Sequence, residues 1–219
     1  LDKYKKFIER KFEGHTLEIS RDALFPTMVW TADLPEKEVQ NEKLLENILD
    51  LKKASGGIVR SNQMSGWHSE VNLHSLPEFA QFTQFVWMCA EGVFKDCGYS
   101  FKPSINTMWG NVNPRNSFNR CHLHPNSIIS GVYYVKVPEN SGKLRLFNPN
   151  VHSRMQGSCN DINGWITNPE CPIWRESEIV YTPYERKLIM FPSEILHEVD
   201  PNLNDDYRVS ISFNCSFSS

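Results

Sequence analysis

No apolar run in this 219-residue chain approaches the roughly 20 residues that a membrane-spanning helix needs. An excess of positive charge is missing too. The 23 lysines and arginines face 26 aspartates and glutamates, for a formal net charge of −3. Phosphate backbones are bound by a concentrated basic face, so no nucleic-acid partner and no membrane partner is expected. CxxC pairs are also absent. The six cysteines (Cys89, Cys97, Cys121, Cys159, Cys171 and Cys215) are scattered, and no Cys/His group has zinc-finger spacing. A chain long enough to bury its own core has little need of a disulfide framework. Mostly buried thiols in a reducing cytoplasm are therefore expected, with a Cys159–Cys171 pair disfavoured. No signal-peptide pattern opens the sequence, although a chain that starts at Leu1 would show no trace of a removed leader. Repeats and low-complexity tracts are lacking as well. These absences leave a soluble globular enzyme or binding domain, expected as a single domain over 1–219 with a cytoplasmic location; oligomeric state is not legible.

What is present divides near Gly98. Residues 23–33 read as a strand interrupted by Pro26. Over 35–53, Val39, Leu44, Leu45, Ile48, Leu49 and Leu51 fall at helical spacing with charges opposite. Ser75 can cap a second helix with Pro77 in its first turn, and Gly98 stops it. That helix carries an apolar stripe of Phe79, Phe82, Phe85, Val86, Cys89, Val93 and Phe94, the pattern of a core-facing surface. Beyond it, short strands are predicted over 105–112, 128–137, 144–147, 179–181, 188–191, 196–199 and 207–217, separated by turn residues. The fold class is mainly β with flanking helices. Residues 1–100 supply a strand and helices that pack on one sheet of a sandwich or barrel formed by 101–219. The polar stretch 150–178 has little periodicity and reads as a loop insertion, a candidate lid.

Seven histidines remain to be placed. In CHLHPNSIISGVYYVKV, His122 and His124 are two apart, so an extended chain sends both imidazoles to one face. His197, in EILHEVDP, lies 75 positions after His122. Together the three can hold one iron ion, though HxH pairs also arise by chance and a single strand histidine is usually structural. His15, His68, His74 and His152 show no such partnership and are expected to be structural or exposed. Arg208 and Ser210, in YRVSISFN, share strand parity and form a fork for a carboxylate. A surface ion pair is the plainer role for Arg208, but its neighbours are apolar, and an arginine inside a barrel needs an anionic partner.

The order HxH, GVYYVKVPENSGKLRLFNP, KLIMFPSEILHEVDP and RVS resembles the Fe(II)/2-oxoglutarate-dependent dioxygenase superfamily from about Thr107 to Phe213. It is most similar to the uncharacterised 2-oxoglutarate–iron oxygenase branch and, more distantly, to the prolyl hydroxylases. The resemblance implies a double-stranded β-helix (a cupin-like jelly roll), Fe(II) held by an HxD/E…H triad, and 2-oxoglutarate as co-substrate. It matches His122 to the first metal ligand and His197 to the last. Arg208 matches the residue that pairs with the distal carboxylate, Ser210 its helper, and Tyr134 the strand tyrosine that supports that carboxylate. Asn111 falls where a polar group approaches the co-substrate. No catalytic residue is implied beyond the metal ligands.

One departure stands out. His124 occupies the position of the usual Asp or Glu. Neutral imidazole ligates Fe(II) well but brings no charge; a water or Asn126 can instead fill that position. The implied activity is hydroxylation of an unactivated C–H bond in a small-molecule or peptide substrate, with release of succinate and CO2. Two other readings stay open: a three-His cupin-type dioxygenase without 2-oxoglutarate, in which Arg208 and Ser210 bind a substrate carboxylate, or a non-catalytic metal-binding β-domain. The segment 61–69 is expected at the mouth of the site.

Overall fold

The structure, a computed structural model, describes residues 5–12, 15–22, 25–37, 39–150 and 176–218. A hairpin of β1 (Lys5–Phe12) and β2 (His15–Asp22) comes first. The strand β3 (Trp30–Asp33) leads to α1 (Asn41–Ala54). Two short strands, β4 (Gln63–Met64) and β5 (Trp67–His68), precede α2 (Ala80–Asp96). The remaining strands are β6 (Pro103–Asn113), β7 (Phe118–His122), β8 (Ile129–Lys136), β9 (Leu144–Phe147), β10 (Glu178–Tyr181), β11 (Lys187–Pro192), β12 (His197–Val199) and β13 (Arg208–Phe217). They form a six-stranded sheet in the order β3-β11-β8-β13-β6-β5 and a five-stranded sheet in the order β10-β9-β12-β7-β4. Every strand pairing is antiparallel. From β6 to β9 successive strands alternate between the sheets, and β11 to β13 do so again, which makes the fold a jelly-roll double-stranded β-helix.

The strands β8 and β13 are buried along almost their whole length, because each face of the larger sheet is covered. On the outer face lie the helices. Leu44 and Ile48 of α1 and Phe82, Val86, Ala90, Val93 and Phe94 of α2 fill one core with Met108, Tyr133 and Ile211. Each fully buried Val, Leu, Ile, Phe or Met side chain among them contributes on the order of 1.5–3 kcal/mol. The Tyr133 hydroxyl donates to Asn41 Oδ1 at 2.6 Å, and Asn41 Nδ2 donates to the Val135 carbonyl at 2.9 Å, so α1 is tied to β8 by polar as well as apolar contacts. Arg145 on β9 bonds both carboxylate oxygens of Asp200, at 2.7 and 3.1 Å, and also pairs with Glu178, which clamps the smaller sheet.

All seven predicted strands form, 144–147 with the expected ends and the other six with shifted ones. The first helix starts at Asn41 rather than near 35: Val39 closes a separate turn onto the Pro35 carbonyl, and the first bond of the helix itself runs from Leu44 N–H to the carbonyl of its N-cap, Gln40. Ser75 caps nothing. It ends a 3-10 turn, a second turn begins at Pro77, and α2 follows from Ala80. Gly98 ends that helix at φ +79°, as expected. Of 23–33, only Trp30–Asp33 is a strand among the described residues. The polar β7 and the two-residue strands β4 and β5 were not legible. The thiols are less buried than expected. Cys215 is buried, but Cys97 and Cys121 are exposed, Cys97 at a helix end and Cys121 on β7 beside an inward-facing histidine. Residues 151–175 lie outside the described residues, and with them most of the candidate lid, His152, Cys159 and Cys171. No helix among the described residues is long and apolar enough to cross a membrane.

Candidate functional site

Strand parity builds one wall of a cavity of about 430 Å³. Thr107, Trp109 and Asn111 on β6, Ser130, Val132 and Tyr134 on β8, and Arg208, Ser210, Ser212 and Asn214 on β13 all line it. Registration turns these columns into rows: Ser210 stands opposite Asn111 on one side and Tyr134 on the other, and Asn214 stands opposite Thr107 and Ser130. The smaller sheet supplies the facing wall through Asn119, His122, Leu144, His197 and Val199.

The three predicted histidines meet there. His122 and His197 are direct partners across the β7–β12 pair, and His124 is held just beyond β7 by its amide bond to the Ser193 carbonyl at 3.0 Å. One nitrogen from each ring lies within 4.8 Å of the others, so the three could hold a metal ion. The Nδ1 atom of His122 is 2.6 Å from the Arg120 carbonyl, and that of His197 is 2.9 Å from the Ile195 carbonyl. A carbonyl only accepts, so each Nδ1 carries the proton and each Nε2 keeps the lone pair that a metal takes. His124 differs: its Nδ1 lies 3.4 Å from Asn214 Nδ2. Asn214 in turn contacts Thr107 Oγ1 at 3.1 Å and accepts from Ser130 Oγ at 2.8 Å, and Ser130 is 2.8 Å from Ser193 Oγ. Burial lowers the pKa of all three imidazoles, with repulsion from neighbouring histidines adding for His124 and His197. His197 falls to about 3 and His124 to about 4. They are neutral at pH 7, the form that ligates.

Arg208 occupies another part of the wall and is only 2% exposed. Its Nη1 donates to the Ser141 carbonyl at 2.7 Å, while its Nε has no hydrogen-bond partner. No carboxylate pairs with it among the described residues; Asp200, which it senses, is already bonded by Arg145. A buried guanidinium left with a free donor calls for an anionic partner. Beside it, Tyr134 is 2% exposed, and burial pushes its pKa up to about 12, so the hydroxyl remains a donor at neutral pH. The cavity thus offers three neutral imidazoles, a buried cation and a phenol, a donor set that fits a metal ion together with a carboxylate-bearing ligand.

Every predicted site residue, including Ser210 and Asn111, lines this one cavity, and Asn111 Nδ2 donates to Ser212 Oγ at 3.2 Å. Asn126, the alternative to His124, is exposed and lies off the wall. From the expected mouth segment, Ser61, Asn62 and His68 contribute. His68 was expected among the background histidines. Instead it is 5% exposed on the cavity wall and stacks on Trp109, with ring centroids 5.4 Å apart. Trp109 and Asn214 were also missed, although strand parity with Asn111 and Ser210 could have found both. For His68 the one pointer was its place in the mouth segment 61–69, because a two-residue strand has no period to show which way its side chains face.

Residues 107–214 match the family model described as "Putative 2OG-Fe(II) oxygenase". No curated protein sequence matches the chain. Among solved structures, a Pseudomonas putida prolyl-4-hydroxylase is similar at 14% identity and a TM-score of 0.58, covering 88% of this chain and 94% of its own. A Trichoplax adhaerens prolyl hydroxylase, solved with a hypoxia inducible factor oxygen degradation domain peptide fragment, has 15% identity and a TM-score of 0.57, covering 85% and 82%. A non-heme alpha ketoglutarate dependent epimerase from nogalamycin biosynthesis has 10% identity and a TM-score of 0.64, covering 88% and 80%. At such identities the structures speak for the fold, and the family match for the Fe(II)/2-oxoglutarate superfamily that the motifs resembled.

Proposed function

We propose that this chain, a 2-oxoglutarate/Fe(II)-dependent oxygenase by family and fold, holds Fe(II) on His122, His124 and His197 and 2-oxoglutarate on Arg208, and hydroxylates a C–H bond of a further substrate with release of succinate and CO2. The observation that carries the reading is the buried Arg208, with its unpartnered Nε, in the same cavity as three neutral imidazoles. When bound, Fe(II) and 2-oxoglutarate supply an oxidant, made from O2, strong enough to take hydrogen from carbon.

The chain's own groups do the remaining work. Arg208 pairs with the distal carboxylate of 2-oxoglutarate, and the Tyr134 and Ser210 hydroxyls donate to it, with Asn111 alongside. Because Arg208 is held by the Ser141 carbonyl before anything binds, little reorganisation is needed. The Arg120 and Ile195 carbonyls fix the ligating tautomers of His122 and His197. Val132, Leu144 and Phe191 line the cavity with apolar surface that excludes water from the reacting centre. The substrate is a small molecule or a peptide, the latter in keeping with the peptide-bound Trichoplax enzyme.

The three-His donor set favours one other reading, a dioxygenase without 2-oxoglutarate in which Arg208 and Ser210 hold a substrate carboxylate. Two measurements separate them. Anaerobic Fe(II) and 2-oxoglutarate should give a weak visible charge-transfer band, lost in His197→Ala and weakened in Arg208→Ala. Admitting air should then yield succinate. Absence of both the band and succinate would sink the proposal.

A further inference from the structure

The row formed by Asn111, Ser210 and Tyr134 extends one strand further than 2-oxoglutarate requires. His68 on β5 is the direct partner of Asn111, so four side chains cross the larger sheet from Tyr134 outward. At the far end, the His68 imidazole lies parallel to the Trp109 indole, with 8° between the planes, and its Nδ1 donates to the Ser69 carbonyl at 2.6 Å. Trp109 in turn lies 5.8 Å from the His124 ring, so a single indole separates His68 from a proposed ligand. Arg60, in the loop before β4, lines the same cavity and acts electrostatically on His68. It is exposed and has no carboxylate partner among the described residues.

The charges on the described wall are of one sign. Among the described residues its wall carries two arginines, Arg60 and Arg208, and no aspartate or glutamate. The two negative charges of 2-oxoglutarate balance the two positive charges of Fe(II). A carboxylate ligand would offset one arginine, but His124 stands in its place and offsets none. With Arg208 paired to 2-oxoglutarate, Arg60 is the positive charge on the described wall that is left without an anionic partner, and it is exposed to an incoming substrate.

We infer that the primary substrate is an anion that seats a carboxylate, phosphate or sulfate group on Arg60, at the His68–Trp109 end of the cavity, and so turns its reacting carbon toward the three histidines. This rests on the oxygenase reading above, and two arms of one experiment keep them apart. In the first, succinate release by the Fe(II)-loaded enzyme is measured with matched pairs: amino acids and hydroxy acids against their amides, and sugar phosphates against the free sugars. Only members with the free carboxylate or phosphate group should stimulate release, and the class that does so separates carboxylate from phosphate. Arg60→Gln should lower kcat/KM for that substrate at least tenfold, with Arg60→Lys within about threefold of the parent. An amide or a free sugar that serves equally well, or an Arg60→Gln variant without effect, overturns the proposal.

The second arm needs neither metal nor turnover, and it decides if no pair stimulates release. Sulfate is titrated by calorimetry into Arg208→Gln protein, where the deep cation is gone. Saturable binding is expected, weakened at least fivefold in the Arg60→Gln/Arg208→Gln double variant. No saturable binding, or binding indifferent to Arg60, overturns the Arg60 assignment whether or not the chain proves to be an oxygenase.

Discussion

Asn214 sets which nitrogen of His124 carries the proton, because its carboxamide meets Nδ1. The two ends of a carboxamide have nearly the same shape, so the same contacts admit a turned arrangement. In it, Oδ1 accepts from His124 Nδ1–H and Thr107, while Nδ2 donates to Ser130, which donates onward to Ser193. Every group stays satisfied, and His124 gains the tautomer that His122 and His197 already hold. Asn214→Leu removes the acceptor and should weaken metal binding about 10–100-fold, the usual cost of losing such a partner. Asn214→Asp should keep it. Calorimetric titration with Ni(II) or Mn(II) reads the difference, and equal affinities in the two variants would remove Asn214 from this role.

Burial of neutral imidazoles also sets a pH dependence at the residue scale. His68 falls to about 4 and His197 to about 3, both mainly through desolvation. In the unfolded chain each titrates near 6.5. Between these values the unfolded state binds protons that the native state does not, so stability is complete above pH 6.5 and is lost as the pH falls. The slope is at most about 1.4 kcal/mol per pH unit for each such histidine. Urea unfolding of the metal-free protein should show a lower unfolding free energy at pH 5 than at pH 7.5. Equal values would contradict the buried neutral state.

At the scale of elements, the loop before β9 is as important to Arg208 as β13 itself. Gly142 sits at φ +91°, and a Cβ there would come within 2.2 Å of the Asp200 carbonyl oxygen and 2.9 Å of Arg208 Nη1. Gly142→Ala should therefore cost about 1–3 kcal/mol of stability and weaken 2-oxoglutarate binding several-fold, because the loop that bonds the guanidinium must move. Gly92 makes the control: it is in α2, exposed, and a Cβ there meets nothing within 4 Å. Gly92→Ala should be neutral or stabilising by about 0.5–1 kcal/mol. Thermal unfolding and 2-oxoglutarate titration of both variants check the pair. Legibility varied among elements for a physical reason. Helices α1 and α2 and strands β6, β8, β11 and β13 pack against a core, and packing imposes a period on their residues. By contrast, β7 (FNRCH) has no fully buried residue, so its sequence records no burial pattern and no strand was predicted there.

For the whole molecule, a metal on His122, His124 and His197 would join β7 to β12 in the middle of the smaller sheet. A ligand that binds only the native state adds about 2.7 kcal/mol at a concentration 100 times its Kd. Mn(II) or Ni(II) should thus raise the melting temperature of the parent protein by several degrees and leave His197→Ala unmoved. A shift of equal size in both would place the metal elsewhere. Some of this architecture was determined by sequence alone. The spacing of His122 and His124, the shared parity of Arg208 and Ser210, and the order of motifs along 107–214 are local facts; alternation within β13 carries the second pair into the fold, and His124 follows just past the end of β7. Tertiary structure decided the rest: the depth of Arg208 and its unpartnered Nε, the arrival of His68 beside Asn111, and a described wall with no carboxylate on it. Each depends on which distant segments become neighbours across a sheet or a cavity, and strand pairing between remote residues leaves no periodic mark in the chain.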